Sequence, residues 1–551
     1  MGLLPGASVG AGSGLPRCGQ TRNVTPPPTH RQGPRLGCGP RPSGARRSRM
    51  DTRRRAGLLL HPTSLPGGHG IGDLGAAVPA LLRWLRAAGL SMWQVLPLGP
   101  VDAGGSPYTS RSALGGNLLL INLNALVADG LLDADALQGA PANGRSVDYP
   151  AVAAFKLPRV LAAAGRLAAD PRHPLADALA AFAAAEANWV DDVALFEAIA
   201  SAQDGAPWTQ WPVAFRDRDP AALQQVRASD PYRAQVAAQF LFQRQWQALR
   251  AQAAAHGVLL VGDAPIYVAH DAADVWAHRE LFELDAALQP AAVAGVPPDA
   301  FAEDGQLWGN PLYDWPAHAA EGFAWWKARM RRLTALCDIV RVDHFRGLAA
   351  YWRVPADAED ARGGRWVEGP GDALLQALAD AGADAILAED LGTIDDDVLG
   401  LRDRHGLPGM AVLQFAWDGD PDNAYLPHNH VEAMAVYTGT HDNETTLGWW
   451  IGAPEVVRHR VRVYFGIDGH DAVWDLIRAA LASVARWTIL PAQDVLALGP
   501  AARMNAPGRT SGNWGFRLLP GELGSHHAER LLGLCATYGR LRRGAESEAA
   551  A

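Results

Sequence analysis

From residue 56 onward the chain alternates short, continuous apolar runs with stretches of helical periodicity. The runs are Gly57–His61, Met92–Pro97, Val258–Pro265, Asp338–His344, Ala385–Leu391, Met410–Ala416, Ala433–Thr440 and Thr488–Leu490. A strand wetted on one side alternates polar and apolar positions, so a run without alternation is covered on both faces, as in a parallel sheet. Amphipathic segments such as Val78–Ala88 lie between the runs. Eight strands of this kind predict an α/β protein whose sheet closes into a (β/α)8 barrel rather than staying open.

Two spacings exceed a simple strand–helix unit. An Ala-rich region over about residues 125–255, helical in segments such as Ala178–Ala198, separates the second run from the third. A stretch rich in Pro, Gly and Trp over about 270–335 separates the third from the fourth. Both leave the sheet after a strand C-terminus, the end of a barrel where sites form. They are expected to be inserted subdomains, mainly helical, framing a cleft in a catalytic unit of residues 56–551.

Residues 1–55 follow neither pattern. They are rich in Gly, Pro and Ser, with eleven Arg against the single acid Asp51. Such a segment buries too little to offset its ordering entropy, and a disordered basic extension is expected. Three readings compete: an organellar leader, a nucleic-acid tail, or an over-extended reading frame starting in truth at Met50. The last is favoured, because the Pro and Gly content spoils a transit-type helix.

Composition narrows the ligand. The extension carries +10 of a net −9, so the rest of the chain carries −19. An acidic body lacks the basic stripe of a nucleic-acid binder and suits a neutral or cationic ligand, among which a neutral polyol or sugar fits. Only Lys156 and Lys327 are lysines, a bias of the coding sequence more than of function. Cys18, Cys38, Cys337 and Cys535 are scattered, without a C-x-x-C pair, and read as reduced thiols of a cytoplasmic protein. No apolar run is long enough to span a bilayer, so no membrane partner is expected. Neither a metal-binding motif nor a Gly-rich phosphate loop is visible, so neither metal nor cofactor is expected.

Three of the runs end in acid: R-V-D-H at Arg341–His344, A-E-D-L at Ala388–Leu391 and T-H-D-N at Thr440–Asn443. In a barrel these strand ends meet at one rim. Glycoside chemistry requires two carboxyls across the scissile bond, one a nucleophile or base and the other a proton donor. A single strand-end acid is more often a helix cap or a loop tie; three of them, two beside His or Asn, point to a site.

Around these acids the sequence resembles the amylomaltase or 4-α-glucanotransferase family, glycoside hydrolase family 77. The resemblance is carried by L-L-L-H-P-T-S-L-P-G at Leu58–Gly67, G-I-G-D-L-G at Gly70–Gly75, W-Q-V-L-P-L-G-P at Trp93–Pro100 and S-P-Y at Ser106–Tyr108. It continues with G-D-A-P-I-Y-V at Gly262–Val268, G-Q-L-W-G-N-P-L-Y at Gly305–Tyr313 and R-V-D-H-F-R-G at Arg341–Gly347. It ends with A-E-D-L-G at Ala388–Gly392, G-T-H-D-N at Gly439–Asn443 and R-M-N-A-P-G at Arg503–Gly508. Each motif alone is weak; ten in order over residues 57 to 520 are specific.

The resemblance implies transfer of α-1,4-glucan segments between glucans or malto-oligosaccharides by a retaining double displacement. It implies Asp343 as nucleophile, Glu389 as general acid/base and Asp442 as transition-state stabiliser. Arg341, two positions before Asp343 on the same strand face, is expected to hold it charged. His441 is expected at the ring hydroxyls, Tyr108 against the sugar beside the cleaved bond, and Trp308 on the acceptor side. Asn505 and Asp494 match family positions near the cleft. Asp73 and Asp263 are expected to be mainly structural, and Trp93, Trp325 and Trp326 to be packing. One departure stands out: P-P-D-A-F at Pro297–Phe301 has Ala300 where relatives carry an aromatic, leaving Phe301 as the neighbouring stacking surface. Two alternatives stay open from the residues alone, an α-amylase-like hydrolase on the same fold and a catalytically silent glucan binder. Oligomeric state is not legible.

Overall fold

The computed structural model describes residues 53–298, 303–509 and 511–541. The basic extension, apart from its last three residues, lies outside them, as do Ala300 and Phe301. The strands run in chain order: β1 (Arg55–Leu59), β2 (Met92–Gln94), β3 (Leu259–Ala264), β4 (Ala292–Val296), β5 (Gln306–Pro311) and β6 (Ile339–Val342), then β7 (Ala350–Pro355), β8 (Arg365–Glu368), β9 (Ile386–Ala388), β10 (Gly409–Val412), β11 (Met434–Tyr437) and β12 (Trp487–Pro491). Eight form one parallel sheet in the order β10-β11-β12-β1-β2-β3-β6-β9. Its two edges meet through Ala388 N–H donating to the Pro408 carbonyl at 2.9 Å, which closes the barrel. Each of the eight apolar runs contains, or overlaps, one barrel strand.

Burial on both faces explains why those runs do not alternate. Leu58, Leu260, Val340, Leu387, Ala411, Val436 and Leu490 are all fully buried. Close packing also dictates small residues: a Cβ at Gly262 of β3 would stand 2.6 Å from Cys337 Sγ. The barrel interior is partly polar, as the Tyr437 hydroxyl of β11 donates to Gln94 Oε1 of β2 at 2.8 Å. The first strand begins earlier than expected. Arg55 opens β1, and the Arg54 guanidinium donates to the carbonyls of Tyr538, Leu481 and Ser483. An Arg-rich stretch thus becomes ordered where backbone acceptors from the last helix and the β12 approach converge.

The first insertion is helical, as expected. It includes helices Tyr149–Ala169, Ala176–Ala185, Ala187–Ala202 and Asp230–Ala255. Asp148 caps the first by accepting the Ala151 amide, and Ser229 caps the last by accepting that of Tyr232; such caps contribute ~1 kcal/mol each. The last helix packs on β3 and so belongs to the barrel wall. The second insertion has helices at Ala273–Ala277 and Trp315–Ala320 and adds strands to them. Between β3 and β6 the chain forms β4 and β5, which join β7 and β8 from the next connection in an antiparallel sheet of order β5-β4-β7-β8. The helix Ala324–Leu336 then returns to the barrel, burying Trp325 and Trp326. Both insertions leave from strand C-termini and flank one rim.

Candidate active site

The parallel register sets the site residues at one level. Val342 of β6 pairs with Ala388 of β9, so the residues that follow, Asp343 and Glu389, leave neighbouring strands side by side. On the other side of β6, Asp263 of β3 pairs with Arg341. The buried Arg341 guanidinium donates to both oxygens of Asp263, at 2.8 and 2.7 Å, and to Asp343 Oδ1 at 2.7 Å. Tyr108, carried by the loop after β2, donates its hydroxyl to Asp263 Oδ2 at 2.6 Å. Asp263 thus borders the site and orients the arginine that bonds Asp343. The strand-end rule that marked the other acids marks Asp263 as well.

Glu389 is braced from β6. The His344 amide donates to its Oε2 at 2.6 Å and the Phe345 amide to its carbonyl at 3.0 Å. Burial pushes the Asp343 and Glu389 carboxyls above their ordinary ranges; the charges of Asp263 and Asp442 add to this at Asp343, and that of Asp343 adds to it at Glu389. Arg341 opposes this at both, but only Asp343 also has a direct hydrogen bond to it. Burial is the larger cause, so Arg341 does not by itself hold Asp343 low. What it contributes is a hydrogen bond that favours the ionised form of Asp343.

The third acid follows β11. Asn505 Nδ2 donates to Asp442 Oδ1 at 2.6 Å, and Arg503 donates to the Asp442 carbonyl at 2.7 Å. His441 Nε2 lies 3.3 Å from Asp442 Oδ2; burial lowers the His441 pKa, which keeps the ring neutral. The ring stacks on Tyr108 at 5.3 Å between centroids and 8° between planes. Trp514 packs on both, at 5.6 Å from Tyr108 and 6.0 Å from His441. Its φ of 65° is left-handed, which no sequence pattern around Gly512–Gly515 signals. Trp308 of β5 approaches from the small sheet, its ring 4.8 Å from that of His344 at 82° and 6.3 Å from that of Tyr267.

Asp494 does not line the cleft. It is buried, with one oxygen accepting the hydroxyls of Thr438 and Thr446 at 2.5 and 2.7 Å and the other the Thr446 amide at 2.7 Å. It ties β11 to the helix that follows, and the expected substrate contact is corrected to this structural one. Asp73 is structural too, held by Asn122 and facing Lys156 at 3.6 Å.

Arg341, Asp343, Glu389, His441 and Asp442 thus form one rim constellation with two carboxyls on adjacent strands, the arrangement glycosyl transfer needs. A family model described as 4-alpha-glucanotransferase matches residues 60–521. The chain belongs to this family. It is 46% identical over 503 residues to a 4-alpha-glucanotransferase of Thermus thermophilus, covering 89% of this chain and all of that one. It is likewise 46% identical over 501 residues to the Arabidopsis thaliana chloroplastic/amyloplastic 4-alpha-glucanotransferase, covering 89% and 86%. The fold matches that of an amylomaltase from Streptococcus agalactiae in complex with acarbose, with a TM-score of 0.85, 34% identity and coverage of 89% and 100%. As a 4-alpha-glucanotransferase the chain is an enzyme acting on glucans, and its (β/α)8 barrel is the family's. Among the described residues no group of three or more His, Cys, Asp or Glu is arranged to hold a metal ion, and no helix is long and apolar enough to cross a membrane.

Proposed function

We propose that the 4-alpha-glucanotransferase reaction of this chain runs through Asp343, Glu389 and Asp442 as a double displacement on α-1,4-glucans and malto-oligosaccharides. Asp343 attacks the anomeric carbon while Glu389 gives its proton to the glycosidic oxygen, and the first glucan fragment leaves. The 4-hydroxyl of a second glucan, or of glucose, then attacks the same carbon. Glu389 takes that proton, and Asp343 is released. Asp442 and the neutral His441 face the distorted ring, with Tyr108 against it and Trp308 towards the acceptor. The observation that carries this reading is the pairing of Val342 with Ala388, which sets Asp343 and Glu389 side by side with Arg341 bonded to one of them.

The test follows the anomer and the products. Early products from maltotriose should be α-anomers and form a ladder of longer oligosaccharides, with Asp343→Asn and Glu389→Gln each losing activity by orders of magnitude while folding normally. Retention requires the two carboxyls to stand about 5–5.5 Å apart when substrate is bound. A β-product means inversion and overturns the assignment; maltose with glucose alone means hydrolysis.

A further inference from the structure

His344, directly after the nucleophile, has a φ of 49°, in the left-handed region that a side chain with a β-carbon disfavours. The turn has a visible consequence. It aims two successive amides at one residue: His344 N–H at Glu389 Oε2, 2.6 Å away, and Phe345 N–H at the Glu389 carbonyl. The surroundings hold the turn in place. The His344 ring sits against Trp308, and Gly347 leaves it room, since a Cβ there would lie 3.1 Å from His344 Cδ2 and 2.7 Å from Ile266 Cδ1.

An amide can only donate. When Glu389 is protonated, the oxygen facing an amide is the carbonyl oxygen, so the hydroxyl is the other one. When Glu389 is ionised, the same amide stabilises Oε2 and leaves Oε1 as the better base. The proton therefore leaves from, and returns to, one oxygen. We propose that His344 is a positioning residue for the acid/base, its left-handed backbone reserving Oε1 for the proton that passes to the glycosidic oxygen and comes back from the acceptor hydroxyl. This rests on the assignment of Glu389 above. In the first step the C1–O glycosidic bond breaks as C1 bonds to Asp343, and the proton moves from Oε1 to the leaving oxygen. In the second, acceptor oxygen replaces Asp343 on C1, and the acceptor proton moves to Oε1.

The test separates proton handling from the rest of the chemistry by changing the substrates. Disproportionation of maltotriose needs Glu389 in both steps. With α-maltosyl fluoride as donor and azide as acceptor it is needed in neither, because fluoride leaves unprotonated and azide has no proton to lose. His344→Val strongly disfavours the left-handed turn, while His344→Asn and His344→Gly accept it, and all three lose the imidazole. Val should lower maltotriose turnover at least about tenfold and the fluoride–azide rate by less than about threefold; Asn and Gly should keep the wild-type ratio of the two rates. An ester in place of the His344 amide, introduced as the α-hydroxy acid, removes only the donor and should give the same split as Val. Equal loss in both assays for the ester, or Asn and Gly behaving like Val, overturns the proposal. Glu389→Gln separates the two levels: if the fluoride–azide pair does not restore its rate, the acid/base assignment itself fails.

Discussion

Asn505 Nδ2 stands 2.6 Å from Asp442 Oδ1, while the Asn505 amide donates to the His441 carbonyl at 3.0 Å. One residue of the R-M-N-A-P-G segment thereby fixes both members of the T-H-D-N motif, 63 and 64 positions earlier in the chain. Asn505→Ala leaves Asp442 with freedom to turn and with one charge-assisted hydrogen bond fewer, worth about 1.5–3 kcal/mol. A fall in kcat/KM of roughly ten- to a hundredfold is expected, with the melting temperature little changed. Asn505→Asp puts a second carboxylate at hydrogen-bond distance, so it should be the poorer enzyme near neutrality and recover as the pH is lowered. Equal activity of the Ala variant and the wild type would remove Asn505 from the site.

Asp263 and Arg341 make a second testable pair. Their side chains are 0% and 4% exposed, so removing Asp263 takes away one of the two carboxylates that compensate a buried guanidinium and leaves it to Asp343. Asp263→Ala should destabilise the fold by about 3–5 kcal/mol in urea unfolding and, because Arg341 loses its anchor, lower kcat. Tyr108→Phe removes only the outer hydrogen bond to Asp263 and should cost far less in stability. If the two variants unfold at the same urea concentration, the pair is not the anchor described above.

The barrel was legible because its strands are buried on both sides, which writes them as unbroken apolar runs. The small sheet was not. In β5, Gln306–Pro311 contains Gly and Pro and leaves Leu307 exposed, and β8 is the four residues R-W-V-E; neither alternates over a length that distinguishes it from loop. The three acids proposed for catalysis were visible as strand ends. Asp263, at the end of β3, obeys the same rule. Asp494 was misread: a motif match says which residues recur near a cleft, not which way a carboxylate points. Here a short helix at Ala492–Val495 turns it into the hydroxyls of Thr438 and Thr446. Trp514 depends on a left-handed backbone inside a loop, and no side-chain periodicity encodes that.

Stability should depend on pH through Glu389. Burial raises its folded-state pKa above the ordinary Glu value of 4.5, and the Asp343 charge adds to this. A carboxyl raised in the folded state contributes stability that is fully present below its unfolded pKa and is lost as pH rises through its folded pKa. Glu389→Gln cannot ionise, so its melting temperature should exceed that of the wild type by a margin that grows from about pH 5 to about pH 9. The proposed double displacement needs Asp343 ionised and Glu389 protonated, so kcat/KM of the wild type should be bell-shaped, with both limbs displaced above the ordinary carboxyl range. A margin that shrinks with rising pH would contradict the buried, proton-holding Glu389.

Transfer competes with hydrolysis once the glycosyl–enzyme has formed, because water is concentrated and the acceptor dilute. Transfer wins only if the acceptor is held in line for attack, which can supply a large effective molarity. Trp308 is placed to do this. Its strand belongs to the small sheet on the cleft rim, its ring contacts those of His344 and Tyr267, and it keeps part of its surface accessible. Sugars stack on such surfaces through their C–H faces while their hydroxyls stay hydrogen-bonded. Trp308→Ala should therefore raise the ratio of glucose released to oligosaccharide formed, most at low acceptor concentration, and saturating acceptor should restore it in part. Asp343 is held by Arg341, so the rate of glycosyl–enzyme formation from α-maltosyl fluoride should fall by less than about threefold in Trp308→Ala. Ala300→Tyr supplies the aromatic that relatives carry beside Phe301 and should shift the ratio towards transfer. If both variants keep the wild-type ratio at every acceptor concentration, partitioning is set elsewhere, and Tyr108 with Trp514 on the opposite wall becomes the surface to test.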